Sequence, residues 1–245
     1  MAGFASPYDG RPDPSLIPVT RFYITGTDTG VGKTVASTAL LHALRARGLP
    51  AVGMKPVASG CSLVDGQWRN EDALALLAAS EPRPDYAELN PYALPQPLAP
   101  EIAAREAGVD IELGRIIGSY QRLQASAAAV VVEGVGGWAA PLSATLDQSD
   151  LVRALRLPVV MVVGMRLGCL NHARLTARAI AADGCELVGW IASHVDADMA
   201  RQDENFELLC ARIQAPCWGR LPHAPEPDAF AMSRLLETGL PVGTA

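Results

Sequence analysis

Short apolar runs alternate with stretches of helical periodicity along most of the chain. The apolar pattern predicts strands at 21–26, 51–57, 128–137 (running into a glycine turn), 157–165, 186–193 and 215–222. The helical pattern predicts helices at 33–48, 70–80, 111–127, 171–182, 200–213 and 228–237. Continuous β-branched runs, such as VVV at 130–132, are typical of strands buried on both faces. The alternation predicts an α/β fold whose mostly parallel sheet carries helices on both faces, with ligands at the carboxyl ends of its strands.

Proline-rich segments set the predicted boundaries. Residues 1–20 contain four prolines, which interrupt regular secondary structure, so a flexible leader is predicted before a single domain over 21–245. Six further prolines fall within 82–100, where the sequence predicts an extended surface excursion.

Composition narrows the functional class. Apolar residues make up 49% of the 245 residues and charged residues 19%, as in a globular protein. The net charge of −6 argues against a general nucleic-acid binder. We expect no membrane association, because no stretch reaches the roughly 18 apolar residues of a bilayer span and the start of the chain lacks a secretory pattern. Five scattered cysteines without a CxxC pair indicate reduced thiols and predict a cytoplasmic location.

A phosphate-binding loop lies between the first predicted strand and the first predicted helix, in GTDTGVGKT at 26–34. Its glycines, such as Gly30 and Gly32, let backbone N–H groups approach phosphate oxygens at a helix N-terminus. Lys33 can bridge the outer phosphates, and the Thr34 hydroxyl can ligate magnesium. Five residues separate Gly26 from GKT, where the usual pattern has four, so this is a variant loop. A dinucleotide fingerprint is excluded because GxGxxG is absent. The segment predicts a P-loop NTPase-like fold that binds a nucleoside triphosphate.

The ends of other predicted strands carry further candidate residues. Lys55 lies at the end of the second predicted strand and is either a solvated charge or a second cation directed at the γ-phosphate. Ser59 could position a second substrate. Glu133 closes an apolar run, as a metal-side acid does in phosphate-loop proteins. Asp72 opens a helix and could merely complement its dipole. Together, the oxygens of Thr34, Asp72 and Glu133 form the kind of ligand set that Mg²⁺ prefers.

A second helix N-terminus is predicted at the same edge of the sheet. Residues 168–171, GCLN, follow the strand at 157–165 and open a helix. Such a terminus suits a substrate carboxylate, although a plain loop with Asn171 as the helix cap explains the local sequence equally well.

Several segments occur in a specific order: YITGTDTGVGKTVAS (23–37), GMKPVASG (53–60), RNEDALAL (69–76), NPYALPQPLAPEIAA (90–104), VVEGVGGWAAPLS (132–143) and LPVVMVVGMRLGCLNHARLTA (157–177). Together they resemble the dethiobiotin synthetase family over about residues 21–222. The resemblance implies a homodimeric, Mg²⁺-dependent ligase of biotin biosynthesis, which uses ATP and CO₂ or bicarbonate to close the ureido ring on 7,8-diaminononanoate. In that reaction a carbamate attacks the γ-phosphate to give a carbamic–phosphoric anhydride, and the second amine then expels phosphate, leaving ADP as the other product.

The resemblance also implies roles for individual residues. Catalytic roles fall on Lys55, Lys33 and Thr29, and the metal ligands would be Thr34, Asp72 and Glu133. The diamine acid would contact Thr29, Ser59, Gly136 and the turn of Leu167, Gly168, Cys169, Leu170 and Asn171, which would reach a ligand bound by the dimer partner. The nucleotide would contact Gly30, Val31, Gly32, Lys33, Thr34, Val35, Asp72, Glu133, Ser193, His194, Pro222, His223 and Ala224.

Two positions depart from the family pattern. Gly30 stands where some members carry an acidic residue, and we expect it to leave the loop more mobile until nucleotide binds. Ser193 and His194 stand where members often carry Asn-Asp, which leaves the choice of base open. The run at 221–228 could compensate for the missing amide, or other triphosphates could be accepted.

An ATPase switch of the partitioning or nitrogenase-iron-protein type is the alternative to a synthetase. Those proteins generally carry lysine where this chain has Asp28, and they lack KPVASG. A GTP-binding signalling module is disfavoured, because its Asn-Lys-x-Asp guanine reader is absent.

Overall fold

A six-stranded parallel sheet forms the centre of the protein. The structure, a computed structural model, describes residues 20–236. The strands are β1 (Thr20–Gly26), β2 (Ala51–Met54), β3 (Val57–Ser59), β4 (Ser62–Val64), β5 (Gln67–Arg69), β6 (Tyr92–Leu94), β7 (Ala129–Glu133), β8 (Pro141–Ser143), β9 (Leu146–Asp147), β10 (Val159–Gly164), β11 (Leu187–Ser193) and β12 (Cys217–Leu221). The central sheet has the order β12-β11-β10-β1-β7-β2, and all its pairings are parallel. The predicted fold class is confirmed.

Helices cover both faces of this sheet. They are α1 (Lys33–Ala46), α2 (Glu71–Ala79), α3 (Tyr86–Leu89), α4 (Pro100–Ala107), α5 (Leu113–Ser126), α6 (Gln148–Leu155), α7 (Cys169–Ala182), α8 (Gln202–Arg212) and α9 (Ala229–Ser233). Successive side chains of a strand point to opposite faces. Phe22 and Ile24 therefore pack in the core cluster that contains residues of α1 and α2, whereas Tyr23 packs in the cluster that contains residues of α5 and α6. Burial on both faces explains the continuous apolar runs of the central strands.

The prediction of one strand over 51–57 is wrong. Strand β2 ends at Met54, because the N–H of Lys55 donates to the carbonyl of Leu89 (2.8 Å) and Pro56 has no N–H to offer the sheet. The chain then forms β3, which pairs with β6 in a separate two-stranded parallel sheet. The result is a bend that directs Lys55 toward the carboxyl edge of β7.

The prediction of an extended surface excursion over 82–100 is also wrong. This segment contains α3 and β6, and Leu89, Tyr92 and Leu94 are buried. Pro100 is at the start of α4, where the missing N–H costs nothing. The prolines here bound short elements instead of preventing them.

Other parts of the described chain also differ from the prediction. Helix α6 and two hairpins, β4–β5 and β8–β9, were not expected. The predicted leader over 1–20 lies outside the described residues, apart from Thr20, which begins β1. The single domain over 21–245 stays a prediction. Within residues 20–236, no helix is both long and apolar enough to cross a bilayer.

Candidate active site

A cavity of about 420 Å³ lies at the carboxyl edge of β1, β2 and β7. Its lining joins segments that are far apart in the sequence: Thr29, Gly30, Gly32, Lys33, Thr34, Val35, Lys55, Ala58, Ser59, Asn70, Asp72, Val135 and Gly136. Most of these residues were predicted to bind nucleotide, metal or diamine. Ala58, Asn70 and Val135 were not assigned to the site; Asn70 is the N-cap of α2, and its side chain accepts the N–H of Ala73 at 3.2 Å.

The phosphate loop is shaped by backbone conformation and close packing. Gly32 precedes α1 in a left-handed conformation, with φ of +84°. A Cβ at this position would overlap Ser193 Oγ, so glycine is required both for φ and for space. The Lys33 ammonium donates to the Asp28 carbonyl at 2.9 Å and has no other hydrogen-bond partner in the described part of the chain. The Val31 side chain is buried in the core, so its proposed nucleotide contact falls to its backbone.

Lys55 forms the centre of a buried ionic cluster. Its Nζ donates to Glu133 Oε1 at 2.6 Å, Asp72 Oδ2 at 3.0 Å and the Gly134 carbonyl at 3.2 Å. The side chains of Lys55 and Glu133 are 3% and 0% exposed, whereas Asp72 is 45% exposed. A solvated charge is therefore the wrong interpretation of Lys55, since three oxygens hold its ammonium group inside the cavity.

The two lysines have opposite pKa shifts. Burial, followed by the nearby Lys55 charge, lowers the pKa of Lys33 to about 8. Burial alone would also lower the pKa of Lys55, but the Glu133 and Asp72 carboxylates outweigh it, and the pKa of Lys55 is raised. Burial opposes ionisation of Asp72, yet Lys55 and hydrogen bonds from Lys55 and Thr34 hold the pKa of Asp72 below its usual value. Lys55 and Asp72 are therefore charged at neutral pH.

The oxygens predicted to bind magnesium lie together. The Thr34 hydroxyl donates to Glu133 Oε1 at 2.9 Å, and Asp72 accepts from the same Lys55 ammonium as Glu133. Glu133 Oε2 is buried without a hydrogen-bond partner among the described residues, which leaves one carboxylate oxygen available to a hard cation. The donor set fits Mg²⁺ with water in the remaining positions. No group of three or more His, Cys, Asp or Glu side chains in residues 20–236 has metal-binding geometry, so the site depends on the hydroxyl and two carboxylates.

The residues proposed for the diamine fall into two groups. Thr29, Ser59 and Gly136 line the cavity, and a Cβ at Gly136 would lie 3.7 Å from Thr29 Oγ1. The turn from Leu167 to Asn171 does not line it. Leu167 is 92% exposed, Cys169 is buried, Gly168 is the N-cap of α7, and Leu170 and Asn171 follow in its first turn. The alternative in which Asn171 caps this helix is wrong, because Gly168 is the N-cap and α7 begins at Cys169.

An ion pair connects this turn to the phosphate loop. Arg166, which precedes the turn, donates to the Asp28 carboxylate at 2.5 Å, and the same carboxylate accepts the N–H of Thr29 at 2.7 Å. Sequence analysis did not identify Arg166, although its position next to the predicted turn was a usable signal.

The residues proposed for the base lie beside the phosphate loop. Ser193 is buried at the end of β11, against Gly32. His194, Pro222 and His223 line a neighbouring cavity of about 370 Å³ together with Arg220. Ala224 is partly buried against the core and does not line this cavity.

His194 is held in a neutral state within this second cavity. Its Nε2 accepts from Arg220 Nε at 3.3 Å, and its Nδ1 has no partner among the described residues. Burial and then the Arg220 charge lower the pKa of His194. Because Nε2 is an acceptor, the ring proton is assigned to Nδ1.

Known proteins resemble this chain over most of its length. Residues 20–229 match a family model described as an AAA domain. A protein of Xanthomonas oryzae pv. oryzae (strain PXO99A), named ATP-dependent dethiobiotin synthetase BioD, is 66% identical over 216 residues, covering 88% of this chain and 96% of the relative. A protein of the same name from Xylella fastidiosa (strain 9a5c) is 62% identical over 207 residues, covering 84% of this chain and 92% of the relative.

A solved structure has the same fold. A chain of the MinC:MinD cell division protein complex of Aquifex aeolicus matches with a TM-score of 0.55 at 13% identity, covering 91% of this chain and 98% of that chain. At this identity the likeness shows the P-loop NTPase-like fold alone.

Proposed function

The chain belongs to the family of ATP-dependent dethiobiotin synthetases, ligases of biotin biosynthesis, and we propose that it closes the ureido ring of dethiobiotin from 7,8-diaminononanoate, CO₂ and ATP. The observation that carries this proposal is the position of Lys55. A buried ammonium, held by Glu133 and Asp72, lines the same cavity as the phosphate-loop residues Lys33 and Thr34. A phosphate site and a second fixed cation in one cavity suit the transfer of a phosphoryl group to a bound anion.

The proposed reaction begins with carbamate formation. One amine of the diamine adds to CO₂ and loses a proton, and a carbamate oxygen attacks the γ-phosphorus as ADP leaves. Lys55 stabilises the carbamate and Lys33 the transferred phosphoryl group, because both reacting groups are anionic. The second amine then attacks the carbamyl carbon, loses its proton and expels phosphate. Thr29, in the phosphate loop, positions the carbamate beside the phosphoryl group.

All three donors of Lys55 are used in the structure, so a substrate oxygen must replace one contact. The Asp72 contact is the one to exchange, because Asp72 is 45% exposed whereas Glu133 is fully buried. Glu133 thus keeps Lys55 in place while the third donor turns to the carbamate.

Thr34, Asp72 and Glu133 would hold Mg²⁺, with Glu133 Oε2 as the oxygen lacking another partner. The ion would neutralise phosphate charge during the transfer. The protein's part is to keep these oxygens together at the N-terminus of α1.

The diamine acid would lie along Ser59 and Gly136, with its carboxylate directed toward the N-terminus of α7. In this chain the turn from Leu167 to Asn171 lies outside the cavity lining, and Leu167 is almost fully exposed. This placement supports a homodimer in which the turn of one subunit completes the diamine site of the other.

The base would occupy the cavity lined by His194, Pro222 and His223, next to Ser193. The Nδ1–H of neutral His194 can donate to a ring nitrogen or carbonyl of the base. Ala224 would support this cavity from the core. We propose adenine as the base, since the relatives are named ATP-dependent. Calorimetry with ATP, CTP and GTP tests the choice; comparable affinities would contradict selection of adenine.

The main alternative is an ATPase switch. Purified protein given Mg-ATP and bicarbonate should release phosphate only when 7,8-diaminononanoate is added, because the carbamate is the phosphoryl acceptor. Equal phosphate release without the diamine would refute the synthetase proposal and support a switch. The cytoplasmic location stays a prediction.

A further inference from the structure

The loop after β7 forms one wall of the cavity. The N–H of Gly134 donates to the Ile24 carbonyl at 2.9 Å, so the chain is fixed to the sheet up to this residue. Val135 and Gly136, which follow, line the cavity. A Cβ at Gly137 would lie 3.8 Å from Asp28 Cα, so this loop packs directly against the phosphate loop. Its position therefore sets the space between the phosphate loop and Lys55.

Gln148 binds this loop from behind. Its Oε1 accepts the N–H of Val135 at 3.1 Å, and its Nε2 donates to the carbonyls of Gly137 at 2.6 Å and Ala140 at 3.3 Å. One side chain thus satisfies backbone groups at both ends of a six-residue turn. Gln148 is 1% exposed, so its own amide makes these hydrogen bonds in place of hydrogen bonds to water.

Tyr23 connects the Gln148 amide to the central sheet. The Tyr23 hydroxyl, on the central strand β1, donates to Gln148 Oε1 at 2.6 Å. Oε1 accepts from two donors and Nε2 donates to two carbonyls, and reversing the amide would break the three backbone contacts, at Val135, Gly137 and Ala140. Burial, with the nearby Glu133 charge, raises the pKa of Tyr23, which keeps its hydroxyl protonated as a donor.

The hydrogen-bonded groups of Tyr23 and Gln148 are closely packed against the backbone of Gly134. A Cβ at Gly134 would lie 2.5 Å from both the Tyr23 hydroxyl and Gln148 Oε1. Gln148 is itself the first residue of α6, and the Asp150 carboxylate in that turn accepts the Asp147 N–H at 2.9 Å. The amide is therefore anchored by a helix start on one side and by the central sheet on the other.

We propose that Gln148, linked by Tyr23 to the central sheet, is a positioning residue that holds Val135 and Gly136 in place for the diamine substrate. It acts through the loop and touches no reacting atom. Glu133, Lys33 and Thr34 belong to the sheet or to α1 and do not depend on it. The proposal rests on the proposed function for the identity of the substrate, whereas the ordering of the loop can be measured without it.

The test compares Gln148→Leu, Gln148→Glu and Tyr23→Phe with wild type. For Gln148→Leu we expect the KM for the diamine to rise at least about tenfold, while the dissociation constant of Mg-ATP changes less than about twofold, because only the loop loses its support. Gln148→Glu places a carboxylate oxygen against the Gly137 and Ala140 carbonyls in a buried site, so we expect its KM to rise at least as much as in Gln148→Leu. Tyr23→Phe loses one bond, and we expect its KM to lie between those of wild type and Gln148→Leu.

A matched control separates positioning from general stability. Ser80 is also buried; it accepts the Gly53 N–H at 2.8 Å and donates to the Leu76 carbonyl at 2.7 Å, away from the loop. Ser80→Ala should lower the melting temperature without changing the KM for the diamine. A KM increase in Ser80→Ala equal to that in Gln148→Leu would contradict the proposal, as would an unchanged KM in Gln148→Leu.

Amide hydrogen exchange reports the loop directly. In Gln148→Leu, and more weakly in Tyr23→Phe, exchange at residues 135–140 should accelerate at least about tenfold, while exchange in β1 and α1 stays unchanged. Unchanged exchange at 135–140 would overturn the proposal even if wild type proves to be a synthetase. If exchange at 135–140 accelerates in Gln148→Leu but the wild-type protein shows no diamine-dependent turnover, the proposed function is refuted and the loop-anchoring role of Gln148 still holds.

Discussion

Lys33 and Lys55 line the same cavity but are held by different partners. Lys33 donates to a single backbone carbonyl, and its pKa is lowered to about 8. Lys55 is enclosed by two carboxylates and a carbonyl, and its pKa is raised. Among the described residues, no carboxylate is in contact with Lys33, whereas two carboxylates contact and balance Lys55 before nucleotide arrives. The Lys33 end of the cavity is suited to binding an anion, and the Lys55 end is preorganised to stabilise a reacting one.

The largest effect is expected from removing the balanced charge. Lys55→Ala should reduce turnover by at least about a thousandfold, because the carbamate loses its fixed cation. It should also lower the free energy of unfolding by about 3–5 kcal/mol, since Glu133 is left buried without its partner. Steady-state kinetics and urea denaturation measure the two effects, and binding of Mg-ATP should largely survive.

The double variant Lys55→Met with Glu133→Gln provides the control. It removes both buried charges, so most of the lost stability should return while turnover stays absent. Near-normal turnover in Lys55→Ala would show that Lys55 has only a structural role.

The second-largest effect is expected from removing Lys33. Lys33→Ala should weaken ATP binding by about a hundredfold, because the outer phosphates lose their cation, while the free energy of unfolding changes by less than about 1 kcal/mol. The small stability change follows from its single backbone contact. Calorimetry measures the ATP affinity, and urea denaturation measures the free energy of unfolding. A loss of stability as large as in Lys55→Ala would contradict the proposed difference between the two lysines.

A smaller effect is expected from the backbone at the phosphate end. Gly32→Ala should weaken ATP binding by about tenfold, because its φ of +84° is unfavourable for alanine and the new Cβ overlaps Ser193 Oγ. Adding Ser193→Gly removes the overlap but not the strain. Partial recovery of affinity in the double variant is the expected result, and no recovery would show that strain alone is responsible.

The smallest effect is a pH dependence of nucleotide binding. The pKa of Lys33 is about 8 in the free protein, and bound phosphates favour its charged form. Apparent ATP affinity should therefore fall by about fivefold between about pH 8 and pH 9, as binding must recharge the lysine. Titration in Lys33→Met, which has no such group, should show no matching fall; the same fall there would assign it to another residue.

Lys33 and Lys55 make the free energy of unfolding depend on pH in opposite directions. The pKa of Lys33 in the folded state is below its ordinary 10.5, so the unfolded chain binds more protons between pH 8 and 10.5, and this group makes stability rise with pH. The pKa of Lys55 is above 10.5, so its contribution is fully present below that pH and is lost as the pH rises through the folded-state value.

Residues that act through local sequence were predictable, and those that depend on tertiary packing were not. The phosphate loop and Glu133 follow strands whose apolar runs are visible in the sequence, so their meeting at one edge could be deduced. The depth of Lys55 could not, because it depends on Pro56 and on the carbonyl of Leu89 from another segment.

The proline-rich segment and α6 show the same limit. Prolines in 82–100 were interpreted as breaks, yet β6 forms because β3 lies beside it, a contact that local sequence does not encode. Gln148 gave no motif signal, since its role depends on Tyr23, which is 125 residues away. Long-range hydrogen bonds of this kind become visible only in the folded chain.

The most direct test of the central claim follows the carbon and the phosphate together. The protein is incubated with Mg-ATP, 7,8-diaminononanoate and isotopically labelled bicarbonate, and mass spectrometry of the product is compared with the phosphate released. We expect the label at the ureido carbonyl of dethiobiotin, with one phosphate per product molecule and none of either in Lys55→Ala. Phosphate release without labelled product, or equal release in Lys55→Ala, would contradict a cavity in which Lys55 serves ring closure.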